Sequence, residues 1–291
     1  METKLSSATK EVVMGEGYPT VLIGERINPA GKKKMAEALR AGNLEVVQNE
    51  ALSQVQVGAD IIDINVTLFG MDEVTLLPKA VEAVMKVVDV PLCFDSPNPR
   101  ALEAALKIYK GKALLNSVTG EERSLEMVLP LVKEFGAAVI GMTQDEKGIP
   151  GNSEQRVAIA KKITEKAEAM GIPREDILFD CLTSTVGADG KSGLVTLETI
   201  RKVKSDLGMN LVLGASNISF GLPDRELINN AFVAIAIASG VNSLIVDVVK
   251  IRPIVLAADL LLNQDNRARR YISAYRERQS KESIISLPIK V

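Results

Sequence analysis

Short apolar runs alternate with longer amphipathic segments eight times between about residue 20 and residue 262. This alternation predicts repeated strand–helix units, because a buried parallel strand reads as a brief apolar run and its covering helix has one apolar face. The predicted strands are 21–24, 60–65, 91–95, 113–116, 137–142, 177–180, 211–214 and 243–247. Eight units in about 250 residues match the (β/α)8 TIM barrel of the α/β class. A doubly wound open sheet is the weaker alternative, since no Gly-x-Gly-x-x-Gly follows any predicted strand.

The length and apolar content favour a single large domain. The chain has 291 residues, of which 46% are hydrophobic, and this is ample for a sizeable core. No low-complexity segment or linker interrupts the repeated pattern. We therefore expect residues 1–20 to be an N-terminal extension and residues 21–291 to be one barrel domain.

Charge and composition exclude several kinds of partner. The 35 basic and 37 acidic residues leave a net charge of −2, which offers no electrostatic footprint for nucleic acid, and aromatic residues make up only 3%. The N-terminus lacks the apolar core of a signal peptide, and the longest apolar run, 231–238, is far shorter than a membrane span. We expect a cytoplasmic protein that binds neither nucleic acid nor membranes.

The absence of histidine narrows the possible chemistry further. A chain with no histidine has no Ser-His or Cys-His nucleophile, and it lacks the commonest metal ligand. Its two cysteines, Cys93 and Cys181, are too far apart in sequence for a Cys-x-x-Cys pair. They are best interpreted as small apolar residues beside strand ends in a reducing compartment.

Polar residues recur where the predicted strands end. Since the chemistry of a barrel sits at the C-terminal ends of its strands, these side chains are expected to converge on one pocket. Helix capping is an alternative explanation for any one of them, but it does not account for their common phase in successive units. Carboxylates and carboxamides together favour a neutral heterocycle rich in N–H groups. The set comprises Glu25, Asn28, Asp63, Asn65, Asp95, Asn116, Asp180 and Asn217.

Two other kinds of barrel site remain open on these residues. The carboxylates could ligate magnesium, although the number of carboxamides argues against a metal site. A Schiff-base aldolase needs a lysine at a strand end, and only Lys250 comes near. The loop 183–193 is long for a barrel connection, and loops of this kind are more often functional than idle.

Six motifs in the same order resemble those of the pterin-binding (β/α)8 methyltransferases, which move a methyl group between tetrahydrofolate and a corrinoid protein. The resemblance covers most of the chain, from Val21 to about Gln264. It is strongest to the stand-alone methyltetrahydrofolate:corrinoid methyltransferases and to the folate module of cobalamin-dependent methionine synthase. The motifs are Ile23-Gly-Glu-Arg-Ile-Asn28, Asp63-Ile-Asn65, Cys93-Phe-Asp-Ser96, Leu115-Asn-Ser117, Phe179-Asp180 and Gly214-Ala-Ser-Asn-Ile-Ser219.

The resemblance implies a role for each matching residue. Asp95, Asn116 and Asp180 match the positions that bind the pyrimidine edge of the pterin, and Asn217 matches the catalytic amide that reaches N5. Arg225 matches a basic position near the mouth of the pocket. The sequence departs from its relatives at Pro97 and in the loop after Asp180, so the differences concern the rim of the pocket more than the pterin floor.

The resemblance also implies the cofactors and partners. Tetrahydrofolate or 5-methyltetrahydrofolate is the substrate, the corrinoid is carried by a separate protein, the enzyme needs no metal of its own, and a homodimer is expected. Glu25, Asn28 and Asn65 would face the corrinoid at the rim. We expect methyl transfer to tetrahydrofolate in a demethylation system. The opposite transfer, to a corrinoid iron–sulfur protein in acetyl-CoA synthesis, is the nearest alternative.

Two relatives with the same fold fit less well. Dihydropteroate synthase calls for an Arg and His pair late in the chain, and the zinc-dependent methyltransferases need His and Cys ligands; this chain has no histidine. A metal-assisted barrel lyase or isomerase, and a non-catalytic folate-binding protein, are more distant alternatives. The latter would have no use for the amide of Asn217.

Overall fold

Eight parallel strands close into a barrel in the computed structural model, which describes residues 1–285. The predicted TIM barrel is therefore confirmed, and neighbouring strands are consecutive in sequence all the way around. The last residues of the predicted domain, 286–291, lie outside the described residues. The barrel strands are β3 (Val21–Ile27), β4 (Ile61–Asn65), β5 (Leu92–Asp95), β6 (Leu114–Val118), β7 (Ala138–Met142), β8 (Ile177–Asp180), β9 (Asn210–Gly214) and β10 (Ser243–Val246).

Helices follow the strands and cover the outside of the barrel. Their apolar faces and the outward-facing strand residues form one large core. Within residues 1–285, no helix is both long enough and apolar enough to cross a membrane. The helices are α1 (Lys33–Arg40), α2 (Glu45–Gln56), α3 (Glu73–Met85), α4 (Pro99–Ile108), α5 (Glu122–Phe135), α6 (Ser153–Ala169), α7 (Ser192–Lys202), α8 (Arg225–Ser239), α9 (Val248–Leu261) and α10 (Arg269–Ile285).

Two helices begin soon after their strands end. Helix α7 begins at Ser192, so it takes up the end of the long loop after β8. Helix α9 begins at Val248, directly after Asp247. Proline is favoured in the first helical turn, but Pro253 lies in the second turn of α9.

A β-hairpin closes the N-terminal end of the barrel. Strands β1 (Glu2–Ser6) and β2 (Glu11–Gly15) pair antiparallel, and their inward side chains Leu5, Val12 and Met14 pack against the barrel interior. Asn210, at the start of β9, is fully buried and ties the hairpin down. Its Nδ2 donates to Thr3 Oγ1 at 3.0 Å and to the carbonyl of Met14 at 3.2 Å.

The barrel interior changes from apolar to polar towards its C-terminal end. Side chains of a strand alternate between the two faces of the sheet, so a residue two positions after an interior residue also points inward. The lower layers are apolar and include residues of all eight strands. Above them, a polar residue follows two positions after an apolar one on six strands or directly after them: Ile23 and Glu25, Ile61 and Asp63, Cys93 and Asp95, Leu114 and Asn116, Leu178 and Asp180, and Ile245 and Asp247.

Candidate active site

Three adjacent strands bring Asn65, Asp95 and Asn116 side by side at the mouth of the barrel. The register pairs Asn65 with Asp95 and Asp95 with Asn116. Asn65 Nδ2 donates to Asp95 Oδ2 at 2.9 Å, while its Oδ1 accepts from the backbone N–H of Thr67 at 2.9 Å. The two bonds orient the Asn65 amide, which in turn holds the Asp95 carboxylate in place.

Asp63 lies one layer below this row, fully inside the barrel. Its Oδ1 is buried and accepts no hydrogen bond from any residue that the structure describes. Burial, with the nearby charge of Asp95, raises the pKa of Asp63 well above its usual value. Burial also raises the pKa of Asp95, while the hydrogen bond from Asn65 opposes that shift. Burial therefore favours the protonated form of Asp63.

Asp180 faces the same mouth from β8 and is buried. Its Oδ1 accepts from the backbone N–H of Leu182 at 2.7 Å, and its Oδ2 accepts from that of Gly214 at 3.2 Å. Burial raises the pKa of Asp180 to about 6, against the opposing effect of the two backbone donors and the charge of Arg156. The carboxylate is thus held by backbone groups and retains lone pairs that can accept further hydrogen bonds.

A short 3₁₀ segment, Ala215–Ser219, carries Asn217 directly after β9. The Asn217 side chain is exposed, and it makes no hydrogen bond to the part of the chain that the structure describes. Arg225, in the first turn of α8, donates from Nη2 to the carbonyl of Ser216 at 2.9 Å and from Nε to Ser219 Oγ at 3.0 Å. The segment is therefore anchored while the amide itself is free to meet a ligand.

A cavity of about 310 Å³ lies beside the ends of β3 and β10, between the segment Ala215–Ser219 and helices α8 and α9. Its acidic lining includes Glu25 and Asp247, and its basic lining includes Arg225 and Lys250. Burial raises the pKa of Glu25 to about 7; the Lys32 ammonium opposes the shift, and Asp247 and Asp95 add to it. Glu25 therefore exchanges its proton near neutral pH in the free protein.

Charged residues beside this cavity hold Asp247 in place. Arg26 donates from Nη1 to Asp247 Oδ2 at 3.2 Å and from Nε to Glu50 Oε2 at 2.7 Å. Asn28 lies further out on the same edge, half-buried, with its Oδ1 accepting from the backbone N–H of Ala30 at 2.9 Å.

A second cleft, of about 510 Å³, opens on the opposite side of the mouth. Asp95 and Asn116 form its inner end, and Pro97, Met127 and Met142 contribute apolar walls. The predicted residues thus surround one mouth but line two cavities. Asp95 and Asn116 are on one side, Glu25 and Arg225 on the other, and Asp180 stands on the wall between β7 and β9.

Three residues of this mouth have a place in the structure that the sequence did not predict. Asp63 was recognised as a strand-end residue, but its complete burial below Asp95 was not foreseen. Asp247 ends the eighth predicted strand. Because it follows the interior residue Ile245 by two positions, the sequence could have predicted that it faces the mouth. Ser216 contributes its backbone carbonyl, which no side-chain pattern identifies. Within residues 1–285, no three acidic or sulfur side chains form a group suited to holding a metal ion.

The sequence family described as pterin binding enzyme matches residues 24–247, well over half of the chain. The chain belongs to this family. This match confirms the resemblance inferred from the motifs of this pterin binding enzyme. The matched span contains each of the predicted site residues.

Two known proteins are similar to this pterin binding enzyme over most of its length. A methylcorrinoid:tetrahydrofolate methyltransferase of Eubacterium limosum is 31% identical over 267 residues, which are 88% of this chain and 96% of that protein. Methionine synthase of Mycobacterium leprae (strain TN) is 31% identical over 266 residues, which are 87% of this chain and 22% of that protein.

Solved structures agree on the fold of this pterin binding enzyme. Dihydropteroate synthase of Yersinia pestis superposes with a TM-score of 0.67 at 17% identity, covering 90% of this chain and 100% of that one. The enzyme from Thermus thermophilus, in complex with 6HMPPP, gives a TM-score of 0.62 at 23% identity, covering 89% of this chain and 99% of that one. At these identities the likeness concerns the barrel alone.

Proposed function

We propose that this enzyme transfers a methyl group between the cobalt of a corrinoid protein and N5 of tetrahydrofolate. The observation that carries the proposal is the layer of polar side chains above an apolar barrel interior. This layer belongs to a chain that matches a methylcorrinoid:tetrahydrofolate methyltransferase over 96% of that protein. The mouth of the barrel is open, so it can admit the pterin and also a large second substrate.

The pterin floor consists of Asp95, Asn116 and Asp180. The pyrimidine edge of a pterin presents N–H donors beside a carbonyl acceptor, so two carboxylates and one carboxamide match its pattern. The Asn65 amide and the backbone N–H groups of Leu182 and Gly214 hold the two carboxylates before any ligand arrives. Such preorganisation lowers the entropic cost of binding.

Asn217 is the proposed catalytic residue, acting at N5. In the favoured direction the N5 lone pair attacks the methyl carbon, and the pair of electrons of the carbon–cobalt bond stays with cobalt. N5 then gives up its proton to water. A hydrogen bond that N5–H donates to the carboxamide oxygen of Asn217 would strengthen as positive charge develops on N5. Arg225 supports this role by donating to the Ser216 carbonyl before Asn217 and to the Ser219 hydroxyl after it.

Alignment is the main contribution that a protein can make to such a displacement. Correct positioning of two reactants is worth roughly 7 to 11 kcal/mol. The methyl group has to approach N5 in line through the barrel mouth, so the corrinoid must arrive on its partner protein from outside. Glu25, Asn28 and Asn65 are the proposed rim residues that face it.

Several finer points belong to the same proposal. The name of the Eubacterium limosum relative puts the methyl donor on the corrinoid side, and we propose this direction, with use in a demethylation system. We also propose that the enzyme acts in the cytoplasm as a homodimer and needs no metal of its own. Its catalytic domain would be residues 21–291, with residues 1–20 as an extension. Analytical ultracentrifugation tests the homodimer.

Calorimetric titration with tetrahydrofolate and 5-methyltetrahydrofolate, with and without excess magnesium, tests the function. We expect micromolar binding of either folate that magnesium does not alter, followed by methylation of tetrahydrofolate from methylcob(III)alamin. Failure to bind either folate would refute the proposal. Binding that appears only with magnesium would favour the metal-assisted barrel enzyme instead.

A further inference from the structure

One arginine is buried between the loops that follow β7 and β8. Arg156, near the start of α6, is only 2% exposed, whereas arginine is rarely buried unless its charge is paired. Its Nε donates to the carbonyl of Pro150 at 2.8 Å, and its Nη1 donates to the carbonyls of Cys181 and Leu182, each at 2.8 Å. The guanidinium is a planar fork of N–H donors, so it can bind carbonyls of both loops at once.

A single peptide group connects Arg156 to Asp180. The oxygen of this group is the carbonyl of Cys181, which accepts from Arg156. Its N–H is that of Leu182, which donates to Asp180 Oδ1 at 2.7 Å. The position of the guanidinium therefore determines where the donor that orients the carboxylate lies.

Leu182 has a backbone conformation that leucine rarely adopts. Its φ is 54°, in the left-handed region where the side chain of an L-residue crowds its own backbone. The carbonyl of Leu182 accepts from Arg156 and, at 2.8 Å, from Thr196 Oγ1 on α7. Such a conformation persists only where surrounding contacts fix it, and hydrogen bonds on both sides of Leu182 do so here.

Arg156 also supplies a positive charge that acts on Asp180. Burial raises the pKa of Asp180 to about 6, and the backbone donors and the Arg156 charge oppose that shift. The neighbouring Cys181 thiol stays protonated, because burial raises its pKa well above the usual value. Thr143, after β7, faces Asp180 with neutral groups, since its N–H and Oγ1 both donate to the Asp180 carbonyl at 3.2 Å. The Arg156 charge therefore favours the ionised carboxylate.

We propose that Arg156 is the positioning residue for Asp180, because it fixes the peptide group whose N–H orients that carboxylate. The inference rests on the proposed function, in which Asp180 binds the pyrimidine edge of the pterin. Arg156 is enclosed by the two loops and by α7, so it acts through Asp180 and not on a ligand. Its bond to Pro150 also ties the loop after β7 to the same unit.

Titration of the free protein tests this link without any ligand. Carbon-13 NMR of the aspartate carboxyls, with Asp180→Asn to assign the signal, follows the ionisation of Asp180. Arg156→Gln, which removes the charge, should raise the midpoint of that ionisation by about 1 pH unit. Arg156→Lys keeps the charge but cannot span the carbonyls, so it should raise the midpoint by less. An unchanged midpoint in Arg156→Gln would overturn the proposal.

Calorimetric titration with tetrahydrofolate measures the consequence for binding. Near neutral pH, Arg156→Gln should weaken binding about 10-fold or more. The same substitution in the Asp180→Asn background should cause little further loss, because the residue through which Arg156 acts is already altered. Thr196→Val keeps the shape of the side chain and removes one donor to the Leu182 carbonyl. It should weaken binding about 3-fold or more, and it tests the same unit if loss of Arg156 prevents folding.

Arg174→Gln is the matched control. Arg174 also donates to a backbone carbonyl, that of Leu207 at 2.7 Å, but it precedes β8 at the opposite end of that strand. Its replacement should change neither the ionisation of Asp180 nor the affinity for tetrahydrofolate. Equal losses of affinity from Arg156→Gln in both backgrounds would mean a merely structural role and would overturn the positioning proposal. If the unaltered protein binds no folate, the proposed function fails, and the NMR titration still decides whether Arg156 controls Asp180.

Discussion

Arg225 donates a hydrogen bond from Nη2 to the backbone carbonyl of Ser216 at 2.9 Å, one residue before Asn217. Its Nε bonds Ser219 two residues after Asn217, at 3.0 Å. One guanidinium therefore bridges both ends of the segment that presents the proposed catalytic amide. The Arg225 guanidinium also lies 5.7 Å from the centre of the Phe220 ring, which adds a cation–π contact.

Replacing Arg225 with alanine should release this segment. Hydrogen bonds to charged groups are worth about 1.5 to 3 kcal/mol, so we expect Arg225→Ala to slow methyl transfer about 10- to 100-fold. Lysine lacks the forked geometry that spans Ser216 and Ser219, so Arg225→Lys should recover little of the rate. Steady-state kinetics of tetrahydrofolate methylation measures both variants. Full activity of the lysine variant would contradict the bridging role.

Asn217→Ala should lower turnover far more than it weakens folate binding. Loss of one hydrogen bond that strengthens in the transition state typically costs about 100-fold in rate. The Asn217 side chain is exposed and unpaired within the described part of the chain, so its removal should leave the fold intact. Single-turnover kinetics and calorimetry separate the two effects. Ser216→Ala, which keeps the carbonyl that Arg225 binds, is the neighbouring control; equal loss in both variants would refute a specific role for Asn217.

Asp95→Asn and Asp180→Asn should weaken folate binding. Each substitution turns one carboxylate acceptor into an amide with two donor hydrogens, one of which would face the pterin N–H groups or the backbone donors of Leu182 and Gly214. We expect a loss of affinity of about 10-fold or more for tetrahydrofolate, measured by calorimetry. Unchanged affinity in both variants would remove them from the pterin floor.

Glu25 should make folding stability depend on pH near neutrality. Its pKa is raised from 4.5 to about 7 in the folded protein. The stabilising contribution of the protonated Glu25 carboxyl to folding is therefore fully present below about pH 4.5, and it is lost as the pH rises through about 7. Glu25→Gln should match the unaltered protein near pH 4.5 and exceed its stability above pH 7 by on the order of 3 kcal/mol. Urea denaturation across this pH range measures the free energy of unfolding of both proteins. A difference between them that stays constant at all pH values would contradict the raised pKa of Glu25.

Asn210→Ala should detach the hairpin from the barrel. The substitution leaves the buried carbonyl of Met14 without its 3.2 Å bond and Thr3 Oγ1 without its donor. We expect a loss of about 1 to 3 kcal/mol in the free energy of unfolding, with faster amide exchange in β1 and β2. Asn266→Ala, at an exposed position, should change neither quantity. Unaltered exchange in the hairpin would show that other contacts hold it.

Strand positions could be predicted because each buried strand is a short apolar run that ends at a polar residue. A run such as Pro91-Leu-Cys-Phe-Asp95 indicates both where a strand lies and which of its ends is polar. Since all eight strands are parallel, this common arrangement was enough to predict that Asp95, Asn116 and Asp180 would reach the same mouth. The local sequence carries this information without any knowledge of distant contacts.

Features that depend on contacts remote in sequence could not be predicted. The hairpin strands have weak alternation, and only packing against the barrel interior reveals why Leu5 and Met14 are apolar. The division of the mouth into two cavities depends on loop conformations, as does the exposure of Asn217. The neutral tendency of Asp63 depends on its depth below Asp95, which strand phase does not determine.

The packed interior of the barrel sets the order of events in the proposed reaction. Because apolar side chains of all eight strands fill it and the hairpin covers its foot, both reactants share one entrance. Folate has to take its place before the carrier arrives, and it cannot depart until the carrier has gone. Turnover therefore follows a compulsory sequence, and an excess of carrier should trap folate inside and inhibit its own reaction.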